Sequence, residues 1–416
     1  MSDTPPREAA PPPWAALSLI GLIFLNMLGF GIIVPLLPFY AKSFDAPAWQ
    51  ITLIFSAFSV GTFFGEPYWG RLSDKYGRKP LLVMTILANG LCYLGLAFAP
   101  NAWAAFAIRL LGGLFSGNGS IIQGYIADVT PPERRTRQMS WMSAAWNVGL
   151  IVGPGLGGIF AKPSLGHIGF QLPLFISAGL FMTSAFLIAL FIRESRQRDE
   201  GATYRPNRWA ATGEAARHPV IGRLMLVTFL VGFAFTGIEA IFGLWTEARY
   251  GWGPRQIGWA FMFVGISSAI TQLFVTAPLS ERFGQATMLA VGMAITVMCI
   301  GLQPFSPSGN VTIALMSLSA IGQSVAWPNV SALISETADP HRQGQILGLN
   351  NAMGALARVA GPQCAGATFP LSITAPYVQG AVMVVPAIFL AISAGRRAAA
   401  WRTAAGADKS TVGATP

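Results

Sequence analysis

Four ionisable side chains lie inside long apolar stretches of the sequence, where they are the groups best placed to do chemistry. Two are acids, Glu66 and Glu239, and two are cations, Arg109 and Arg358. A carboxyl group that is removed from water binds a proton more readily, whereas a buried guanidinium keeps its charge and needs a partner. The pattern predicts proton binding, with Glu239 as the first choice. The alternative for Glu239 is a structural polar contact between helices, and Glu66, one turn before Gly70, is expected to support the loop that follows it.

A charged loop follows the second apolar stretch and reads Gly-Arg-Leu-Ser-Asp-Lys-Tyr-Gly-Arg-Lys-Pro from Gly70 to Pro80. Its glycines permit a tight reversal between two helices, and Asp74 is an acceptor near a helix end. Arg78 and Lys79 are cations of the kind that hold one face of a membrane protein in the cytoplasm.

Two further patterns lie in the fourth and fifth apolar stretches. The fourth contains Arg109, which should face a central cavity and find a partner, and Asp128 nineteen residues later. The fifth contains a glycine-rich strip around a single proline, which predicts close helix approach and a bend. The residues of this strip that we single out are Gly149, Gly153, Pro154, Gly157 and Gly158.

Other chemistries lack their residue sets. The three histidines show no metal-ligand spacing, and the three cysteines are scattered through apolar runs. No GxxxxGK[ST] loop is present, and no convergent nucleophile and base can be assembled. We therefore expect no enzyme activity, no metal and no cofactor.

The elements that position these residues must be membrane helices. Of the 416 residues, 53% are hydrophobic and only 11% charged, whereas soluble domains average about 25% charged residues. Apolar runs long enough to span a bilayer as helices lie at 14–38, 50–69, 81–99, 103–127, 139–160, 171–192, 221–245, 256–279, 287–305, 311–335, 345–368 and 372–394. The predicted fold class is all-α, with twelve transmembrane helices in two pseudo-symmetric bundles of six.

The predicted organisation has five parts. They are a disordered tail at 1–13, a first bundle at 14–192, a linker at 193–219, a second bundle at 220–394 and a tail at 395–416. Twenty Lys and Arg residues fall on one side of the predicted membrane and four on the other, which predicts that both termini are cytoplasmic. The net charge of +10 then reflects the excess of Lys and Arg on the cytoplasmic side of the membrane, and no nucleic-acid partner is expected.

An internal repeat relates the two halves at an offset of 207 to 208 residues. Asp74 and Gly77 align with Glu281 and Gly284, and further along, Gly153-Pro154 aligns with Gly361-Pro362. Parallel six-helix repeats of this kind are typical of alternating-access transporters.

These motifs resemble those of the major facilitator superfamily. The loop from Gly70 to Pro80 resembles its motif A, in which the aspartate and basic residues latch the cytoplasmic side. The strip from Gly149 to Gly158 resembles motif C, which marks proton-coupled antiporters. Arg109 with Asp128 resembles the pattern of the tetracycline-efflux branch, in which the arginine is implicated in proton transfer. The resemblance makes Arg109 and Asp128 candidates for proton coupling beside Glu239. The resemblance covers nearly the whole chain and implies a twelve-span drug/proton antiporter of a bacterial inner membrane.

One residue departs from that branch. Asn26 stands where the tetracycline exporters carry an aspartate, and asparagine cannot bind a titratable proton, although it can hydrogen-bond a ligand. Tetracycline itself is therefore in doubt as a substrate. The candidates for lining a substrate cavity are the polar or aromatic residues Asn26, Gln123, Arg358, Trp146 and Trp327.

The sequence therefore predicts a secondary transporter that exports a small amphipathic compound in exchange for protons and functions as a monomer in the lipid bilayer. A proton-coupled importer or a facilitative transporter of a small metabolite is the alternative within the same fold. A non-transporting membrane sensor is a third possibility, which the lack of an added soluble domain disfavours.

Overall fold

A computed structural model describes residues 13–195, 217–338 and 343–412. In these three ranges every regular element is helical. Long apolar runs with few charges produce this result, since a helix satisfies its own backbone hydrogen bonds. The predicted tail at 1–13 and linker at 193–219 fall almost entirely outside the described residues.

The described part of the first half contains eight α-helices. They are α1 (Pro13–Ile33), α2 (Leu37–Lys42), α3 (Ala48–Tyr76), α4 (Arg78–Ala97), α5 (Ala102–Leu114), α6 (Asn118–Val129), α7 (Pro132–Phe160) and α8 (Gln171–Phe191). Helices α1 and α2 form the first predicted span and are joined by a 3₁₀ turn at Val34–Leu36. Helices α5 and α6 form the fourth, which is interrupted at residues 115–117.

The described part of the second half contains seven α-helices. They are α9 (Ile221–Tyr250), α10 (Pro254–Ile270), α11 (Thr276–Phe283), α12 (Gln285–Leu302), α13 (Gly309–Thr337), α14 (Gln343–Thr368) and α15 (Ala375–Val412). A five-residue π-helical segment, Thr271–Val275, joins α10 to α11. Helix α15 continues beyond residue 394, where we predicted the last span to end.

Eleven helical segments among the described residues are long and apolar enough to cross a membrane. Helix α14, the eleventh predicted span, is long enough too but carries Asn350, Asn351, Arg358 and Gln363. Large apolar side chains are exposed along the other helices, and Leu273 and Phe274 are 69% and 70% exposed. Such a surface is compatible with lipid and not with water.

The chain divides into two compact units. The first comprises residues 1–46, 57–203 and 254–259, and the second comprises residues 47–56, 204–253 and 260–416. In the first unit α1 packs along α7 and α4 packs along α8. In the second unit α9 packs along α14 and α12 packs along α13, around a core that contains the fully buried Trp245 and Tyr377.

Candidate functional site

The loop between α3 and α4 is organised around the side chain of Arg78. Its Nη2 lies 2.8 Å from Asp74 Oδ1 and its Nε lies 3.1 Å from Asp128 Oδ2. Its Nη1 donates a hydrogen bond of 2.8 Å to the Ser73 hydroxyl. Only 9% of the Arg78 side chain is exposed, so two carboxylates neutralise a guanidinium that is almost fully withdrawn from solvent. Asp74, Arg78 and Asp128 are called the gate network below.

A carboxylate from the end of the sixth span completes this loop. Glu194 accepts hydrogen bonds from the backbone N–H groups of Arg78 at 2.8 Å and Lys79 at 3.1 Å. These are the first two residues of α4, whose N–H groups have no partner within the helix. Glu194 is therefore a cap supplied by a distant part of the chain, and Lys79 takes part through its backbone.

Glycine is required at two places in this network. Gly77 has φ +101°, and a Cβ there would lie 2.5 Å from Glu194 Oε2. A Cβ at Gly124 would lie 2.4 Å from Arg78 Cζ, so the guanidinium rests directly on the backbone of α6. Gly70 lies opposite Ser120 of α6, with 3.1 Å between its hypothetical Cβ and the hydroxyl.

The glycine-rich strip of α7 packs against α1. A Cβ at Gly153 would lie 2.7 Å from Gly31 Cα, and one at Gly157 would lie 2.2 Å from the Ile32 carbonyl oxygen. A Cβ at Gly149 would lie 2.6 Å from Met27 Cβ of α1. Gly158 lies against the start of α10, where its hypothetical Cβ would be 2.6 Å from the Pro254 carbonyl oxygen. Pro154 lies inside α7. These glycines allow backbone-to-backbone contact that any side chain would prevent.

Arg109 is buried inside the first unit. It is 5% exposed and its guanidinium carbon lies 4.7 Å from the centre of the Phe58 ring. Tyr93 and Cys92 of α4 are its other electrostatic neighbours. No carboxylate of the described ranges lies within ion-pair distance of it, and its Nε has no hydrogen-bond partner there. We expected Arg109 to face a central cavity and find a partner, and its neighbours in the structure are the face of Phe58 and the side chain of Tyr93.

Glu239 lies on α9 in the second unit and is partly exposed. Its charged neighbour is Arg358 of α14, which acts on it electrostatically. The two helices are held close at this level because the Thr236 hydroxyl donates to the Ala357 carbonyl over 3.2 Å. The hypothetical Cβ of Gly237 also lies only 2.9 Å from the Gly361 carbonyl oxygen.

The predicted cavity residues fall into two groups. Asn26 is 2% exposed and donates hydrogen bonds of 2.8 Å to the Leu22 carbonyl and to the Ser184 hydroxyl of α8. It serves helix packing in this structure. Gln123 and Arg358 are exposed, and Trp146 and Trp327 are 39% and 40% exposed. Arg358 Nη1 and the Trp327 ring both lie 3.7 Å from the hypothetical Cβ of Gly354, so a cation and an aromatic ring share one surface of the second unit.

The sequence profile of the Major Facilitator Superfamily matches residues 19–362 and, in a second match, residues 224–412. The chain belongs to this superfamily. The tetracycline resistance protein of class C from Escherichia coli is 29% identical, over 94% of this chain and 98% of that protein. Multidrug resistance protein 2 of Bacillus subtilis (strain 168) is 25% identical, over 88% and 92% of the two chains.

A solved transporter structure shows the same fold. The bacterial homologue of the human lysosomal transporter Spinster, in an inward-facing and occupied conformation, superposes with a TM-score of 0.77 at 14% identity. The match covers 92% of this chain and 96% of that one. The all-α fold class, the resemblance to the tetracycline-efflux branch and the classification as a transporter rather than an enzyme are thereby confirmed, and the chain is a multi-pass membrane protein.

Within this superfamily fold, two functional features escaped the sequence analysis. Glu194 lay at the start of what we took for a linker, and its signal was a lone acid directly after the sixth apolar run. The interruption of the fourth span was signalled by Gly112, Gly113 and Gly117 around Phe115-Ser116. Among the described residues, no group of three or more His, Cys, Asp or Glu side chains is close enough to hold a metal ion.

Proposed function

We propose that this protein is a proton-coupled antiporter that exports a small amphipathic compound by alternating access. The observation that carries the proposal is Glu239, a partly exposed carboxyl group within a long apolar helix whose charged neighbour is Arg358. A carboxyl group so placed can take up a proton from one side and release it to the other while the helices around it rearrange. The relatives named as resistance proteins support export.

Arg358 and Trp327 form the substrate surface of the second unit in this proposal, and Gln123 and Trp146 are the exposed candidates of the first unit. An exposed indole offers apolar area to a planar compound, and a guanidinium offers charge and hydrogen bonds. Arg109 contributes to coupling by stabilising the first unit around Tyr93 and Phe58. Asn26 leaves this chain without the aspartate of the tetracycline exporters, so the proposed cargo is a compound other than tetracycline.

The gate network serves as a cytoplasmic latch in the proposal. Two carboxylates on Arg78 and the Glu194 cap on α4 hold together the ends of α3, α4, α6 and α8 on one side of the first unit. The excess of basic residues in these loops supports a cytoplasmic location for that side. Both termini are then cytoplasmic, in the inner membrane, and the protein functions as a monomer within the lipid.

The test is drug resistance and intracellular accumulation in an efflux-deficient host that produces the wild type, Glu239→Gln or Arg109→Ala. We expect resistance with the wild type and its loss with Glu239→Gln. Glu281→Gln is the matched control, because Glu281 is an exposed carboxyl at the end of α11. Equal resistance from the wild type and Glu239→Gln for every transported compound would contradict the assignment of the proton site.

Import of a metabolite is the second candidate, and the same reconstituted protein distinguishes it. In proteoliposomes with an imposed pH gradient, an antiporter accumulates cargo on the acidic side, whereas a symporter accumulates it on the alkaline side. The glycine strip of α7, which resembles the antiporter motif, favours the first outcome. A non-transporting sensor would move no cargo under either gradient.

A further inference from the structure

The interruption in the fourth span is stabilised by hydrogen bonds from two side chains of neighbouring helices. The Trp69 indole of α3 donates a hydrogen bond of 2.6 Å to the Leu114 carbonyl, and the Asn89 amide of α4 donates one of 3.2 Å to the Phe115 carbonyl. These carbonyls end α5 and have lost their helical partners, which would be costly in an apolar environment. Dedicated donors therefore stabilise the break.

Helix α3 also fits this break by shape. A Cβ at Gly65 would lie 2.2 Å from the Leu114 carbonyl oxygen, and one at Gly113 would lie 2.1 Å from the Phe58 carbonyl oxygen. The Trp69 ring stacks on Phe115 with 5.6 Å between ring centres. Such close backbone contacts leave no space for α3 to shift against the end of α5. Helix α3 therefore fixes the position at which α6, the second half of the span, begins.

The carboxyl group of Glu66 lies at the start of α6. Its Oε1 is 3.0 Å from the hypothetical Cβ of Gly119, the second residue of α6, and its backbone carbonyl accepts a 3.2 Å hydrogen bond from the Ser120 hydroxyl. Pro67 follows it within α3. The first turn of a helix carries unpaired N–H groups and the positive end of the helix dipole, both of which favour a carboxylate.

A second observation is a buried hydrogen-bond acceptor at the start of α6 for which the described residues supply no donor. Asn118, the first residue of α6, is 9% exposed, and its Oδ1 is buried with no hydrogen-bond donor among the described residues. Buried acceptors in this position normally have a partner. A protonated carboxyl is a donor, whereas an ionised one is not, so a carboxyl beside Gly119 that gains a proton can turn from the N–H groups of the first turn to this acceptor.

The far end of α6 belongs to the gate network. Asp128 pairs with Arg78 at 3.1 Å, and Gly124 lies against the same guanidinium. Helix α6 has only 12 residues, a rod of roughly 18 Å at 1.5 Å per residue. A short rigid element thus has a titratable carboxyl at one end and the ion pairs of the latch at the other.

We propose that Glu66 is a second proton-binding residue, whose protonation loosens the start of α6 and so weakens the Arg78–Asp128 contact at its other end. The proposal rests on the proposed antiport function. The helices around Glu66 in the first unit carry the other charged groups Arg109, Arg78 and Asp128. Arg109 of α5 lies over the ring of Phe58, which is two turns before Glu66 on α3. On α3 itself the other charged groups are Arg71, Asp74 and Lys75.

Amide hydrogen exchange of residues 118–129 in the full-length protein tests the proposal directly. Between about pH 8 and about pH 5.5, after correction for intrinsic exchange, we expect protection in the wild type to fall about two- to fivefold, the effect of one charge at a helix start. Glu66→Gln should show no such change, and Glu66→Asp, which still titrates, should retain it. The control Glu281→Gln should behave like the wild type. A flat wild-type profile, or the same profile in Glu66→Gln, would overturn the proposal.

Transport measurements separate this proposal from the proposed function. If antiport is correct and Glu66 couples, Glu66→Gln should flatten the pH dependence of pH-gradient-driven transport while cargo exchange at equal pH continues. An unchanged pH dependence in Glu66→Gln would refute the role of Glu66 alone. A wild type that moves no cargo under any pH gradient would refute antiport, whereas the exchange measurement would still decide whether Glu66 controls α6.

Discussion

The two glycines that directly precede α4 and α12 provide a quantitative test of the Glu194 cap. Gly77 has φ 101° and ψ 153°, and Gly284 has φ 83° and ψ 146°. Both conformations are unfavourable for any residue with a Cβ, at about 1–3 kcal/mol. The surroundings differ, because a Cβ at Gly77 would lie 2.5 Å from Glu194 Oε2, whereas one at Gly284 would meet nothing within 4 Å.

Substitution by alanine should therefore cost more at Gly77 than at Gly284. The Glu194 carboxylate is the end of a flexible side chain and can move aside, but it then loses its hydrogen bonds to the N–H groups of Arg78 and Lys79. Losing a helix cap costs about 1 kcal/mol. We expect Gly77→Ala to lower the free energy of unfolding by about 1 kcal/mol more than Gly284→Ala, since the backbone strain is common to both.

Equilibrium unfolding in mixed detergent micelles, run as a double-mutant cycle with Glu194→Ala, measures this difference. In the Glu194→Ala background the excess cost at Gly77 should vanish, because the cap is already absent, while the cost at Gly284 should be unchanged. Equal costs at the two glycines, or an excess at Gly77 that survives the removal of Glu194, would refute the reasoning.

Three further substitutions test other parts of the structure. Gly157→Ala should prevent the approach of α7 to α1, because its Cβ would lie 2.2 Å from the Ile32 carbonyl oxygen, and the yield of monodisperse protein should drop; Gly179→Ala, with nothing within 4 Å, should leave it unchanged. Trp69→Phe keeps the ring but removes the donor to Leu114, so the free energy of unfolding should fall by about 1–3 kcal/mol, whereas the same change at the exposed Trp141 should have little effect. Burial lowers the pKa of His218, whose Nδ1 accepts 3.3 Å hydrogen bonds from the N–H groups of Val220 and Ile221. The neutral form is therefore the stabilising one, so thermal stability should be full above about pH 6.5 and fall as the pH drops through the lowered pKa; a decline of equal size in His218→Asn would contradict this assignment.

The helical class and the positions of the spans were predictable from the sequence. Eleven of the predicted runs coincide with helical segments able to cross a membrane, and the repeat pairs Gly77 with Gly284 at two equivalent helix starts. This information is local, since a long apolar run has only one way to satisfy its backbone in lipid. The glycine strip of α7 was likewise recognisable, because close helix approach needs small residues at helical spacing.

The partners of the singled-out side chains were not predictable. Arg109 has Phe58 and Tyr93 around it, and Asn26 pairs with Ser184, 158 residues away in the sequence. Burial of a polar group requires a partner, but nothing in the sequence states which helix supplies it. Glu194 was missed for the same reason, since it caps a helix that begins 116 residues earlier.

The sequence by itself determined that the chain forms membrane helices in two related halves, because hydrophobicity and glycine placement act through the solvent and through neighbouring turns. Only the tertiary structure decided which carboxylates meet Arg78, that the fourth span is broken at Phe115, and that Glu66 lies at the start of α6. Those outcomes depend on helices that are distant in sequence coming within a few ångströms, and their side chains acquire a role only in that contact.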